Sequence, residues 1–376
     1  MNDLKSSLPS ADKPLPNPRG EGRRFHELDA MRGLAAVIVL GNHFRNMFYP
    51  SATFSSGWQS VFLYPFVSGH ESVMFFFILS GFVLSLPFLR GKAQPYQIFL
   101  RRRVLRIYGP YLGALALALI GCALWHNRLG TVGWRAATWS RQVDVRSVVQ
   151  HVLFIGNYNY DRYDAAFWSL VYEMRISIIF PLLFVVANKL KAKYVLLIVA
   201  ACTLVGVHAR EHQFLVTFEY VGVFLIGVLL AKNLERLTAF YRRQGTVGHI
   251  LFALVSLFLY FGGHCMASIG PLWHLGDMPV VLGAAGLLLL GLNSAKASRA
   301  LHSVVPTFLG RISYSLYLVH GTVLFAMAAV LQNKVSPPVF FLIWFPTAIL
   351  LSWGFYVAVE EPFMVWSRNV GRRNAR

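Results

Sequence analysis

Long apolar stretches recur along this chain from about residue 28 to about residue 366, and they leave few folds open. At about 1.5 Å of rise per residue, helices of that length cross a hydrocarbon core about 30 Å thick. The chain is 56% hydrophobic and only 14% charged, where a soluble domain carries about a quarter charged residues. The fold expected is all-α: a polytopic membrane helix bundle with about ten transmembrane helices. The spans fall at about 28–49, 71–89, 107–126, 166–188, 194–208, 214–231, 247–263, 278–293, 306–330 and 338–359.

Three regions follow from this pattern. Residues 1–26 are polar and Pro-rich, with no apolar core of a cleavable signal, and read as a disordered cytoplasmic tail. Residues 27–366 form one membrane domain without an internal repeat, and 367–376 form a basic cytoplasmic tail.

The net charge of +19 raises nucleic acid as a partner, but its distribution argues against that. With the N-terminus inside, the cytoplasmic segments hold 25 Lys and Arg and the outer segments 8, while Arg32 and Arg175 lie within spans. That bias is the positive-inside pattern, so the surplus sets topology and both termini face the cytoplasm. The partner implied is the lipid bilayer, with no nucleic acid.

One outer loop is long, at about 127–167, and carries WRAATWSRQ and FIGNYNYDRYD. Its aromatic, Arg, Asn and Asp residues suit either a carbohydrate-facing surface or an interfacial aromatic belt. Cys122, Cys202 and Cys265 show no metal-ligand spacing and read as free thiols.

Ionisable residues inside spans are costly and mark function by default. On the first helix, LDAMRGLAAVIVLGNHF, Arg32 and His43 are eleven residues apart. They lie about 20° from alignment and roughly 16 Å apart along the axis. Asp29 shares the stripe, and Gly33 and Ala36 open it to close helix contact. No second His, Cys or carboxylate stands at i+3 or i+4 from His43, so no metal is expected there.

Further polar sets repeat the theme. RRRVLRIYGPY places Arg103 and Arg106 on one face with Arg102 adjoining, as a cytoplasmic stop signal or as a phosphate clamp. FWSLVYEMRIS sets Ser169, Glu173 and Ser177 on one ridge, open to a catalytic or a purely interhelical use. RISYSLYLVHG does the same with Ser313, Tyr317 and His320, and Ser80 in FFFILSGF reads as packing beside Gly81.

Taken in order, LDAMRGLAAVIVLGNHF, FFFILSGF, RRRVLRIYGPY, FWSLVYE, ISYSLYLVHG and VEEPF resemble the acyltransferase-3 family of bacterial membrane enzymes. The resemblance implies a multi-pass protein of the bacterial inner membrane. It implies transfer of an acyl group, commonly acetyl, from cytoplasmic acyl-CoA to a carbohydrate hydroxyl, with polysaccharide-biosynthesis partners. It gives His43 the place of the essential first-helix histidine, Arg103 and Arg106 that of an R-x-x-R pair, and Glu173 that of the family's carboxylate. Asp29 and Arg32 match its opening motif. Gly109, Met174 and Ser177 depart from its usual residues, and no SGNH-type esterase domain precedes Arg376, so transfer within one polypeptide is expected.

On this reading His43 and Glu173 are catalytic, and Arg32, Arg102, Arg103 and Arg106 hold the CoA donor. Asp29, Ser169, Tyr317 and His320 support the substrate or the structure. His43 acts as general base or as an acylated nucleophile, and the residues leave both routes open. Acylation of a small molecule other than a polysaccharide, and a proton-coupled secondary transporter, are the competing readings.

Overall fold

The computed structural model describes residues 25–49, 63–129, 138–267 and 270–371. The expected disordered tail to residue 24, most of WRAAT, the Cys265 side chain and the last five residues lie outside those described. Every regular element among the described residues is helical.

The helices are α1 His26–Phe48, α2 Gly69–Leu89, α3 Tyr96–Trp125 and α4 Val145–Leu153, then α5 Phe167–Lys189, α6 Ala192–His208 and α7 Gln213–Lys232. After these come α8 Leu234–Arg242, α9 Thr246–Ala267, α10 Met278–Asn293, α11 Ala295–Leu301, α12 Val304–Leu331 and α13 Pro337–Asn369. All ten stretches read as spans are helical. Among the described residues, seven helices are long and apolar enough to cross a membrane, or eight if α10 and α11, bent by 88°, count as one broken span. The expected ten is therefore not reached on length and composition. Glu27, Asp29, Arg32, Asn42, His43 and Arg45 dilute the apolar character of α1, and α6 is short at 17 residues.

Small residues decide which helices touch. A Cβ added at Gly33 would run into the backbone of Leu309 and Gly310, and one at Gly310 would stand 2.5 Å from the Asp29 carbonyl. The α1 and α12 backbones can approach this closely only because neither glycine has a side chain. From that crossing the two helices run parallel: ten residues on from Gly33 is His43, ten on from Gly310 is His320, and those two rings also touch. The register of the site is set at the Gly33–Gly310 crossing.

Two π-turns bend the bundle at one place, Val104–Tyr108 in α3 and Tyr356–Glu360 in α13. Such turns add a residue to a helix and re-aim its side chains. Here they turn Arg106 and Glu360 towards a common cavity. Gly109 leaves room for the Phe363 ring, which accounts for glycine at that position. Arg102 closes the joint: its Nε and Nη2 donate to the Val370 carbonyl at 3.1 and 2.7 Å, and Ser367 Oγ donates to the Arg102 carbonyl at 3.0 Å.

The outer loop packs inward. Trp139 is fully buried and its Nε1 donates to the Tyr163 carbonyl at 2.8 Å, while Tyr158 and Tyr163 pack their rings on His151. These described aromatics are core, neither a membrane belt nor an open sugar-facing surface. Cys122 and Cys202 are free thiols.

Candidate active site

The polar ridge of α5 finds a partner at every step. Ser169 Oγ lies 2.7 Å from the Tyr317 hydroxyl of α12. One turn deeper, Glu173 Oε1 accepts from Arg103 Nη2 at 2.7 Å and from Ser80 Oγ at 3.0 Å. One turn deeper again, Ser177 Oγ accepts from Arg103 Nε at 2.9 Å. The Arg103 and Glu173 side chains are only 12% and 19% exposed, so this is a sheltered, charge-assisted pair joining α3 to α5. Ser80, read from sequence as packing, belongs to that network.

His43 meets a different partner. His320 Nε2 lies 2.9 Å from His43 Nδ1, and both rings are buried. The tautomers follow from the third atom in the chain. His320 Nδ1 sits 2.9 Å from the Leu316 carbonyl, which can only accept, so Nδ1 carries the proton. In a neutral ring its Nε2 then accepts from His43 Nδ1–H, and the basic lone pair of His43 is on Nε2. Among the predicted site residues, His43 and Glu173 are not brought together in this way. Tyr317 is one turn from His320, and Glu173 is one turn inward of Ser169. His43 and Glu173 thus stand roughly 10 Å apart along the bundle axis.

Two cavities flank these groups. The inner one, of about 510 Å³, is walled by Arg32, Arg103, Arg106, Arg311 and Arg368 against Asp29, Glu173 and Glu360. Five guanidinium groups face three carboxylates, an excess suited to a polyanion. Asp29 and Arg32 are loosely paired at 3.9 Å. Arg106 makes no hydrogen bond or ion pair among the described residues, so its fork is available, whereas Arg103 is held by Glu173 and Ser177. Arg102 is not on the wall. Arg311, Arg368 and Glu360 were missed in the sequence, although the motifs RISYSLYLVHG and VEEPF carried two of them. Glu360 is fixed by the Ser315 N–H and hydroxyl, at 3.0 and 2.5 Å.

The outer cavity, of about 270 Å³, is walled by His43 with Asn42, Asn46, His70, Asp161 and Trp168. Val73 and Tyr317 line both cavities, so the two meet there, beside the histidine pair. Among the described residues no group of His, Cys, Asp or Glu is placed to hold a metal ion.

A family model described as an acyltransferase domain matches residues 25–357, nearly the whole chain. The chain belongs to the acyltransferase-3 family. It is a membrane acyltransferase, and the match takes in every residue lining the two cavities except Glu360, Met364, Ser367 and Arg368. No curated protein and no solved structure matches it. For an acyltransferase the arrangement has a direct chemical meaning: an imidazole with an oriented lone pair stands where an Arg-lined chamber adjoins a second, smaller one.

Proposed function

We propose that this acyltransferase takes an acyl group, acetyl in the simplest case, from cytoplasmic acyl-CoA. It passes the group to a carbohydrate hydroxyl that arrives from the outer face of a bacterial inner membrane. The observation that carries this reading is the junction at Val73 and Tyr317, where an Arg-lined chamber meets the chamber containing His43.

In this mechanism Arg106, Arg32 and Arg311 bind the phosphates of CoA through planar, bidentate contacts. Glu173 holds Arg103 in the chamber wall. The pantetheine arm runs along α1 towards Tyr317, over a distance comparable with the roughly 16 Å from Arg32 to His43. A hydroxyl in the outer chamber gives its proton to His43 Nε2 as its oxygen bonds to the thioester carbon. The carbon–sulfur bond then breaks, and the sulfur takes the proton from His43 and leaves as the CoA thiol. His320 Nε2 accepts from His43 Nδ1–H throughout and shares the positive charge. Both termini lie in the cytoplasm on this reading, as the charge bias requires.

The test uses the full chain in lipid nanodiscs. CoA binding and release of thiol from acetyl-CoA are measured for wild type and His43→Ala. Binding in both, with turnover in wild type alone, is the expected outcome; absence of CoA binding in wild type would remove the donor assignment. Sidedness is tested by Val145→Cys on a cysteine-free background, since Val145 is 81% exposed. Labelling from the outer side is expected, and labelling only from the cytoplasm would invert the scheme.

A further inference from the structure

We infer that the Tyr317 hydroxyl, positioned by Ser169, stabilises the negative oxygen that forms when the acceptor adds to the thioester. This rests on the transfer reaction proposed above and adds a catalytic residue to it.

Addition to a thioester carbonyl places negative charge on its oxygen. Acyl-transfer sites meet that charge with fixed hydrogen-bond donors, each contributing about 10²- to 10³-fold in rate. Backbone N–H groups often serve, but at this junction they are engaged. Val73 lies past the first turn of α2 and Tyr317 lies well inside α12, so their N–H groups bond within their own helices. The donor must therefore come from a side chain.

The choice of side chain is narrow. Among the described residues, Val73 and Tyr317 are the ones that line both chambers, and Val73 carries no polar atom. The arginines line the inner chamber only, and Asn42, Asn46, His70 and Asp161 line the outer one only. Tyr317 is thus the residue with an O–H where thioester and incoming hydroxyl would meet. Its place relative to the base is fixed as well. It stands one turn from His320 on α12, with 6.2 Å between ring centroids, and His320 in turn holds His43. The Phe76 ring packs on it in a T-shaped contact at 5.5 Å, and the residue is buried, so the phenol has little room to swing away.

Ser169 supplies a second hydrogen. Its Oγ lies 2.7 Å from the Tyr317 hydroxyl and 3.4 Å from the Ala166 carbonyl. Each hydroxyl has one hydrogen and can rotate it. In the resting arrangement Tyr317 donates to Ser169, and Ser169 donates to Ala166. When the oxyanion forms, both hydrogens turn: Ser169 donates to the Tyr317 oxygen and Tyr317 donates to the oxyanion. The first bond polarises the second and strengthens it. Ala166 gives up only a long contact, and as the N-cap residue its carbonyl already accepts the first bond of α5.

The step balances without a further reactant. The acceptor oxygen bonds to the carbonyl carbon while its proton passes to His43 Nε2. The carbonyl π pair moves onto its oxygen, which accepts from the Tyr317 O–H without taking that proton. As the pair returns, the carbon–sulfur bond breaks and the sulfur takes the proton from His43. Tyr317 ends the cycle with the proton it began with.

The experiment uses the full chain in nanodiscs and needs no acceptor. Calorimetry compares CoA with two unreactive analogues. Acetonyl-CoA is a ketone that copies the planar thioester; trifluoroacetonyl-CoA is hydrated in water and copies the tetrahedral centre. Wild type should prefer the hydrated analogue by at least about 10²-fold. Tyr317→Phe should remove at least about tenfold of that preference, while CoA and acetonyl-CoA bind within about twofold of wild type. Ser169→Ala should remove a smaller part, and Ser169→Thr, which keeps the hydroxyl, should restore it. An unchanged preference in Tyr317→Phe overturns the assignment. So does an equal loss for both analogues, which marks a packing role, and so does a wild type that binds CoA without any preference. If Tyr317→Phe does not fold, 3-fluorotyrosine at position 317 decides, because it keeps the ring and makes the hydroxyl a stronger donor. The preference should then rise, and an unchanged or lower one overturns the assignment. A wild type that does not bind CoA strikes the transfer reaction itself, and the assignment falls with it.

Discussion

Arg103 and Glu173 are joined at 2.7 Å across two helices. A cation expected on the donor and a carboxylate expected beside the catalytic histidine therefore neutralise each other instead. Glu173 holds Arg103 in place, and the unpaired Arg106, one turn along the bent α3, is the guanidinium proposed above to take the donor's phosphates.

Removing either member of the pair should unfold more than it disables. Glu173→Gln leaves a sheltered guanidinium uncompensated and should cost about 3 kcal/mol of stability, with Arg103→Ala similar. The Arg103→Met, Glu173→Gln double variant should recover part of that loss, read as thermal unfolding in detergent. Arg106→Ala should instead leave unfolding unchanged and weaken CoA binding by about 10- to 150-fold, the equivalent of one charge-assisted hydrogen bond at 1.5–3 kcal/mol. Additive single losses in the double variant would show that the two residues act independently.

His320 is expected to act as a positioning residue through His43. His320→Leu removes the acceptor for Nδ1–H, frees the wrong tautomer, and should lower acyl transfer by at least about 10²-fold. His320→Gln presents an amide oxygen at a comparable reach and should hold the rate within about tenfold of wild type, or 1.4 kcal/mol. CoA affinity should stay constant in both. A Gln variant as inactive as the Leu variant would mean that the ring is needed for its shape alone.

The close crossing of α1 and α12 should tolerate no side chain. Gly310→Val drives two methyl groups towards the Asp29 backbone and should destabilise by about 1–3 kcal/mol while also lowering activity, since His43 and His320 inherit their register from that contact. Gly354→Ala is the control, because a Cβ there meets nothing within 4 Å. It should unfold at or slightly above the wild-type temperature, the helix propensity of Ala exceeding that of Gly. A Gly310→Val protein with normal stability and turnover would place the register elsewhere.

The outer loop should loosen as pH rises. Burial lifts the Asp164 carboxyl from 3.8 to about 7, with the nearby Asp161 charge adding to the effect. Between those values the folded loop keeps a proton that the unfolded chain has lost, so stability falls from about pH 4 to pH 7 and levels off above. Its carboxyl oxygens accept from the Ala166 N–H at 3.0 Å and the Thr322 hydroxyl at 2.9 Å, tying the loop to α12. Hydrogen exchange over residues 159–166, corrected for intrinsic rates, should show more protection at pH 5 than at pH 8. Asp164→Asn should remove the difference. A wild-type loop equally protected at both values would contradict a protonated Asp164.

Much of this protein is determined by the order of residues alone. Apolar runs long enough to span lipid require helices there, because the backbone can satisfy its hydrogen bonds within each segment. The spacing of Ser169, Glu173 and Ser177, and of Ser313, Tyr317 and His320, is a property of helical pitch and needs no tertiary contact to be seen. The family motifs likewise single out His43, Arg103, Arg106 and Glu173 one segment at a time. What pairs with what is a different kind of fact. Two helices can meet at any of several turns, and each turn of slippage shifts the partners by about 5.4 Å. Only the packing of Gly33 against Gly310 selects the turn that sets His43 on His320, and only the approach of α3 to α5 hands Glu173 to Arg103 rather than to the histidine. The same holds for His70, Asp161 and Trp168, which come from three separate segments and line one cavity only once the bundle is closed.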